Sequence, residues 1–190
     1  MAADAYVRIG SETKTFTVTA LLELVDDGRL GLDDPISAYI DGVPNGDRIT
    51  PRHPAGMRGG LFPYTSDPDF IHDPQGAEFP EPHPRGYTDQ TLSGSVADAT
   101  DRNPSWAWAA GAMISDLHDL RRWAEVVATG GLLSPETQAQ GLRTLPTGFP
   151  GTSYGLGILE TNGWTGHNGS IPGYETVTVY LPSQKATWSS

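Results

Sequence analysis

Arg8-Ile9-Gly10-Ser11-Glu12-Thr13-Lys14-Thr15-Phe16 is the stretch on which the reading of this chain turns. Tyr6, Val7 and Ile9 form a short apolar run, and Gly10 punctuates it. Ser11 then suits a helix N-cap, because its hydroxyl can accept a bond from an orphan amide of the first turn. Val18, Leu21, Leu22 and Val25 recur at the i, i+3, i+4, i+7 spacing of one buried helix face. Asp26-Asp27-Gly28 stops that helix, with Gly28 suited to the left-handed C′ position. Ser11 and Lys14 are three residues apart and share a face, so the ammonium can reach the hydroxyl. A serine hydroxyl is a weak nucleophile until a base takes its proton, and a lysine whose pKa is lowered can be that base. Ser-x-x-Lys alone also occurs by chance, in which case Ser11 is only a cap.

Outward from this helix, Asp33-Asp34-Pro35 predicts a second, shorter helix with Ile36 and Ile40 on one side. From Val43 to about Thr100 closely spaced prolines dissolve the pattern, and so long a structureless stretch is unusual in a compact domain. Ser115 is expected to cap a helix with Leu117, Leu120, Ala124 and Val127 as its stripe and Gly130-Gly131 as its stop. Ser134-Pro135-Glu136 opens another helix with cap and proline in the favoured order. Tyr154 to Leu159 and Thr176 to Leu181 alternate as strands do.

Bulk properties exclude several functions. The 190 residues carry 37% hydrophobic and 18% charged residues, which fits a globular chain of one domain. A formal net charge of -11 argues against nucleic acid as a partner, since phosphate binding needs basic clusters. There are no cysteines, so thiol catalysis, disulfides and thiolate metal sites are excluded. The five histidines are dispersed without metal-ligand spacing, so neither metal nor other cofactor is expected. No apolar run approaches the roughly 20 residues of a membrane span. Met1 to Ala5 lack the charged start and apolar stretch of a signal peptide, which leaves the compartment open.

The stretch from Arg8 to Phe16, followed by Leu24-Val25-Asp26-Asp27-Gly28-Arg29-Leu30 and Leu32-Asp33-Asp34-Pro35, resembles the nucleophile helix and following turn of class C β-lactamase-like proteins. That group includes D-alanyl-D-alanine carboxypeptidases and related esterases. Gly166-His167-Asn168-Gly169-Ser170-Ile171-Pro172-Gly173-Tyr174 is similar to the family's H-x-G element, on a strand that edges the active site. Read without the family, it is a Gly-rich hairpin with an exposed histidine. Trp106 to Ile114 and the helix that follows match the family as well, with a packing role expected for the tryptophans. The resemblance covers about Tyr6 to Phe70 and Gly76 to Ala186.

The resemblance implies an α+β fold, an antiparallel sheet flanked by helices, as one truncated domain over 1–190. Its parts would be a nucleophile block at 1–70, an irregular segment at 71–114 and a helix-and-sheet block at 115–190. It implies an acyl-serine hydrolase of D-alanyl peptides, β-lactams or small esters. Ser11 would attack, Lys14 would assist proton transfer, and His167 would place a polar or cationic group beside the substrate carboxylate or the transferred proton. Asn168, Gly169 and Ser170 would bind substrate, with the Ser11 and Ser170 amides as the oxyanion hole. Relatives are often exported, and the oligomeric state is not implied.

The family's third element, Y-x-N, has no counterpart in the sequence. Tyr87-Thr88-Asp89 is the nearest surrogate, then Tyr64. Phe70-Ile71-His72-Asp73 passes almost directly to residues that resemble sequence beyond the helical lobe that carries Y-x-N, so that lobe is expected to be largely deleted. Relatives also begin before Tyr6 and continue past Lys185. The competing expectation is therefore an inactive remnant of the family, serving as a binding module or having no independent function.

Overall fold

A computed structural model describes residues 2–66, 79–91 and 93–190. The junction from Phe70 to Glu78, with His72, lies outside these residues.

The sheet grows from the C-terminal half of the chain. Six strands run as an antiparallel meander in the order β10-β9-β8-β7-β6-β5. They are β5 (Leu145–Pro146), β6 (Thr152–Tyr154), β7 (Leu159–Thr161), β8 (Trp164–Ile171), β9 (Tyr174–Leu181) and β10 (Ala186–Ser189). The two long strands pair from Thr165↔Tyr180 to Ile171↔Tyr174. On its other side β8 pairs with β7 only through Trp164, Thr165 and Gly166. From His167 onward that edge of β8 has left its strand partner. Two short pairs lie outside the main sheet: β1 (Val7–Arg8) with β4 (Ile114–Ser115), and β2 (Tyr87–Thr88) with β3 (Ala97–Asp98).

The helices are α1 (Thr13–Asp26), α2 (Arg52–Ala55), α3 (Leu117–Thr129) and α4 (Pro135–Gly141). Val18 and Leu22 of α1 join Leu32, Ala55 and Leu156 in one buried cluster, with Leu21 and Val25 packed at its margin. Leu120 of α3 meets Val7 and Ile9, while Ala124 and Ala128 meet Tyr180 of the sheet. Phe16 stacks on Trp123 with ring centroids 4.0 Å apart, and the indole N–H donates to Thr15 Oγ1 at 2.7 Å. These contacts fix α1 and α3 to one another on the same side of the sheet. The architecture is the α+β arrangement expected, antiparallel strands flanked by helices.

Four local expectations give way to stronger local physics. Ser11 is no N-cap: it lies inside a 3₁₀ turn, Gly10–Glu12, that runs into α1, and neither turn nor helix has a side-chain cap bond. The helix expected after Pro35 is a single 3₁₀ turn, Ile36–Ala38, with Ile40 55% exposed, because this segment meets too little of the core to pay for more turns. Asp116, not Ser115, caps α3, its carboxylate accepting from Asp119 N at 2.8 Å while Ser115 is held in β4. The alternation from Tyr154 to Leu159 is not one strand. The chain turns out of the sheet at Gly155–Ile158, closed by Gly155 N donating to Ile158 O at 2.8 Å. Ser134 and Gly130 behave as expected: Ser134 caps α4, and Gly130 ends α3 with φ of 88°.

Candidate active site

The tight approach of two glycines builds the site. Gly10 has φ of 49°, in the left-handed region that glycine tolerates. A Cβ there would lie 2.8 Å from Ser170 N and 3.2 Å from Gly169 C. A Cβ on Gly169 would collide with Ile9 O and with Thr176 Oγ1. The Thr176 hydroxyl also donates to Ile9 O at 3.2 Å. The turn that carries Ser11 therefore sits directly on Gly169 and Ser170, at the part of β8 whose edge is free of β7.

Lys14 Nζ lies 2.6 Å from Ser11 Oγ and donates to Ala110 O at 3.0 Å. Both Ser11 and Lys14 are half-buried. Burial lowers the Lys14 pKa from its ordinary value, since removing water disfavours the ammonium. The acceptor carbonyl comes from a 3₁₀ segment, Pro104–Ala110, kinked at Trp108 with φ 35° and ψ -126°. The same segment is tied to α1 by Thr17 Oγ1 donating to Ala109 O at 2.6 Å. Just beyond it, Met113 N donates to Thr13 Oγ1 at 3.2 Å. Thr13, Lys14 and Thr17 thus clamp the helix start to residues 109–113. Trp106 packs beside Phe79, Ala107 and Tyr174, whereas Trp108 is 81% exposed.

His167 is 7% exposed. One ring nitrogen, Nε2, lies 2.8 Å from Tyr154 Oη, and the other, Nδ1, faces the carbonyl oxygen of Asn168. Burial, with a smaller contribution from the Lys14 charge, pushes its pKa down to about 4. His167 and Lys14 are thus near enough to feel one another, but the imidazole is neutral over most of the pH range. The cationic role allowed for His167 does not fit a ring held this way. Asn168 is exposed, on a face with a cleft lined by Leu159, Trp164, Val177, Val179 and Trp188. The Ser170 hydroxyl donates to Glu175 Oε1 at 2.5 Å, which leaves its backbone amide as the group beside Gly10.

Two residues of this neighbourhood escaped the sequence reading. Tyr154 looked like one position in a strand, and the Gly155-x-Gly157 that breaks the strand after it was the available signal. Glu12, inside the Ser-x-x-Lys tetrad, is 3% exposed and lies beside Thr176 and Thr178. Burial raises its pKa to about 7, partly offset by those hydroxyls. Their geometry is poor, since Glu12 Oε1 and Thr178 Oγ1 have no aligned partner among the described residues. Tyr87 is 57% exposed and lines a separate cleft beside Ile171, Tyr174 and Glu175. No group of His, Asp and Glu among the described residues could hold a metal ion. No helix among them is long and apolar enough to cross a membrane.

A Ser-x-x-Lys turn seated on the open edge of an antiparallel strand defines a β-lactamase and transpeptidase type of fold. The family model described as Beta-lactamase matches residues 1–90. A Bacillus subtilis protein that carries the name penicillin-binding protein PbpX is 38% identical over 55 residues, 27% of this chain. That match spans 14% of the relative's length. Among solved structures, a D-stereospecific amidohydrolase from Streptomyces superposes with a TM-score of 0.88 at 24% identity. It covers 98% of this chain and 81% of that one. The D-amino acid amidase of Ochrobactrum anthropi SV3, solved with L-phenylalanine, gives 0.83 at 23% identity over all of this chain and 76% of that one. A penicillin-binding protein from Bacillus halodurans gives 0.82 at 15% identity, covering 97% and 80%. These matches support a serine β-lactamase and penicillin-binding-protein-like family for the chain, carried in sequence by its first 90 residues and in fold by the solved structures.

Proposed function

We propose that the chain is an acyl-serine hydrolase of the β-lactamase and penicillin-binding-protein type. The observation that carries this is the 2.6 Å contact between Lys14 Nζ and Ser11 Oγ, made on a turn pressed against Gly169 and Ser170. A lysine with a lowered pKa takes the Ser11 proton as Oγ forms a bond to the substrate carbonyl carbon. The Ser11 and Ser170 amides face the developing oxyanion. The proton then passes from Lys14 to the leaving nitrogen or oxygen as its bond to carbon breaks, and water hydrolyses the acyl-serine. The substrate is a D-alanyl or other D-aminoacyl peptide or amide, a β-lactam or a small ester. The Streptomyces and Ochrobactrum structures, named for D-stereospecific amide hydrolysis, support including amides.

Incubation of the purified chain with a fluorescent penicillin and with a fluorophosphonate tests the assignment. Labelling by either probe, lost in Ser11→Ala, is the expected result. No labelling, or labelling that survives the substitution, overturns it. The reading of an inactive remnant is favoured by one observation: no tyrosine in the chain is followed two residues later by asparagine. An adduct that forms on Ser11 and never turns over separates that reading from the first.

A further inference from the structure

We propose that Tyr154 is the positioning residue of the H-x-G histidine: its hydroxyl donates to Nε2 of His167 and holds the imidazole as the neutral tautomer protonated on Nδ1. The tautomer follows from the two partners. Nδ1 faces the Asn168 carbonyl oxygen, which can only accept, so Nδ1 carries a proton. Nε2 is then either bare, accepting from Tyr154 Oη at 2.8 Å, or protonated in an imidazolium that donates to it. Both side chains are 7% exposed, and the Lys14 charge stands nearby, so a second buried cation is disfavoured. The carboxyl of Glu12 is a candidate counter-charge, lying beside Thr178, which is the residue opposite His167 in β9. It is itself buried with its pKa raised to about 7, so at the lower pH where an imidazolium would form it is mostly protonated and supplies no counter-charge.

The tyrosine is built to stay where it is. It is the last residue of β6, and the turn that follows is fixed on three sides. Leu156 N donates to Gly141 O at 2.9 Å and Gly157 N to Ala55 O at 2.8 Å. A Cβ on Gly157 would lie 2.6 Å from Val18 Cβ and 2.9 Å from Lys14 O, so this turn touches the helix that carries the lysine. The two rings meet edge to face at 88° with centroids 5.6 Å apart. One rigid unit thereby sets the lysine backbone and the histidine ring together. The consequence for substrates rests on the proposed hydrolase. A neutral His167 adds no positive charge beside Lys14, which suits an uncharged amide or ester end better than a free carboxylate.

Nitrogen-15 spectra of the imidazole side chains test this, with His167 assigned by its absence in His167→Gln. The wild-type chain is expected to show Nδ1 protonated and Nε2 bare, unchanged from pH 8 to pH 5.5. Tyr154→Phe removes the donor to Nε2 and is expected to shift the resonance of the bare Nε2, since a ring nitrogen that accepts a hydrogen bond and one that does not resonate apart. Doubly protonated nitrogens at pH 7, an Nε2–H tautomer, or an unchanged Nε2 resonance in Tyr154→Phe would each overturn the proposal. The wild-type spectrum decides the tautomer even if Tyr154→Phe fails to fold. It also needs no turnover, so a chain that shows the tautomer but takes neither the penicillin nor the fluorophosphonate label sinks the hydrolase and leaves the tyrosine's role standing.

Discussion

Lys14 Nζ is shared between Ser11 Oγ at 2.6 Å and Ala110 O at 3.0 Å. The second contact decides how the first works. A carbonyl can only accept, so one lysine proton is committed to Ala110, and the nitrogen is turned so that its remaining valences face the serine. Replacing Lys14 by alanine removes base and proton donor together, and a positioned group of this kind contributes roughly hundredfold to ten-thousandfold. Lys14→Ala is therefore expected to slow penicillin or fluorophosphonate labelling at least about a hundredfold. Because burial lowers the lysine pKa, the wild-type labelling rate rises with pH through a midpoint below the ordinary lysine value. A rate of labelling indifferent to Lys14→Ala would remove the lysine from the chemistry.

The seat of the Ser11 turn is equally specific. A methyl at Gly169 meets Ile9 O and Thr176 Oγ1, and neither can retreat, since Ile9 is fully buried and Thr176 bonds to the same carbonyl. Gly169→Ala is expected to cost about 1 to 3 kcal/mol, the range for overpacking a tight contact. It should also suppress labelling by more than its effect on the folded population, because the turn must lift from β8. Thermal unfolding and probe labelling on the same samples separate the two effects. Wild-type labelling in Gly169→Ala would show that the turn need not touch the strand.

The parts of this molecule legible in the sequence are those with a local cause. The face of α1, the end of α3 at Gly130 and the cap at Ser134 each follow from spacing or from one residue's chemistry. So does the reach of Lys14 to Ser11. What the sequence hid is set by tertiary contact. Ser11 failed as a cap because the turn is pinned to β8, not because its own chemistry is wrong. Tyr154 belonged to no motif, and its meaning appears only when the break at Gly155–Ile158 brings it to a histidine thirteen residues on. Nothing in the Ser-x-x-Lys spacing marked Glu12 as a buried acid. Only the 3₁₀ entry to α1 turns it inward onto Thr176 and Thr178.

That inward turn gives stability an unusual pH dependence. Glu12 has a pKa of about 7 in the folded chain against 4.5 for the free side chain. The folded state therefore holds a proton that the unfolded state has lost, and stability falls as pH rises from about 4.5 through 7. His167 has the opposite sign: about 4 folded against 6.5 free, so its contribution is lost as pH falls from 6.5 through 4. Each is worth roughly 3 kcal/mol over its whole range, and between about pH 4.5 and 6.5 they cancel. Urea unfolding of the wild type is expected to be nearly flat there. Glu12→Gln should expose a slope that rises with pH, and His167→Gln one that falls. Parallel profiles in the two variants would refute the assignment.

Trp108 offers a different kind of check, on backbone strain in place of charge. Its φ of 35° and ψ of -126° belong to the conformation that suits glycine at a tight turn, and a tryptophan held there costs about 1 to 3 kcal/mol. At 81% exposure its indole recovers little of this by packing. The kink is nonetheless kept, because it presents Ala109 O to Thr17 and Ala110 O to Lys14. Trp108→Gly should relieve the strain at an entropic cost of about 0.5 to 1 kcal/mol in the unfolded chain. The net expectation is a gain of about 1 kcal/mol, read as a higher unfolding midpoint in urea with an unchanged slope. The Lys14 clamp stays in place in that variant, so acylation of Ser11 by a small fluorophosphonate should be unaffected. If labelling by a fluorescent penicillin drops instead while the fluorophosphonate rate holds, the exposed indole is contacting the larger acyl group.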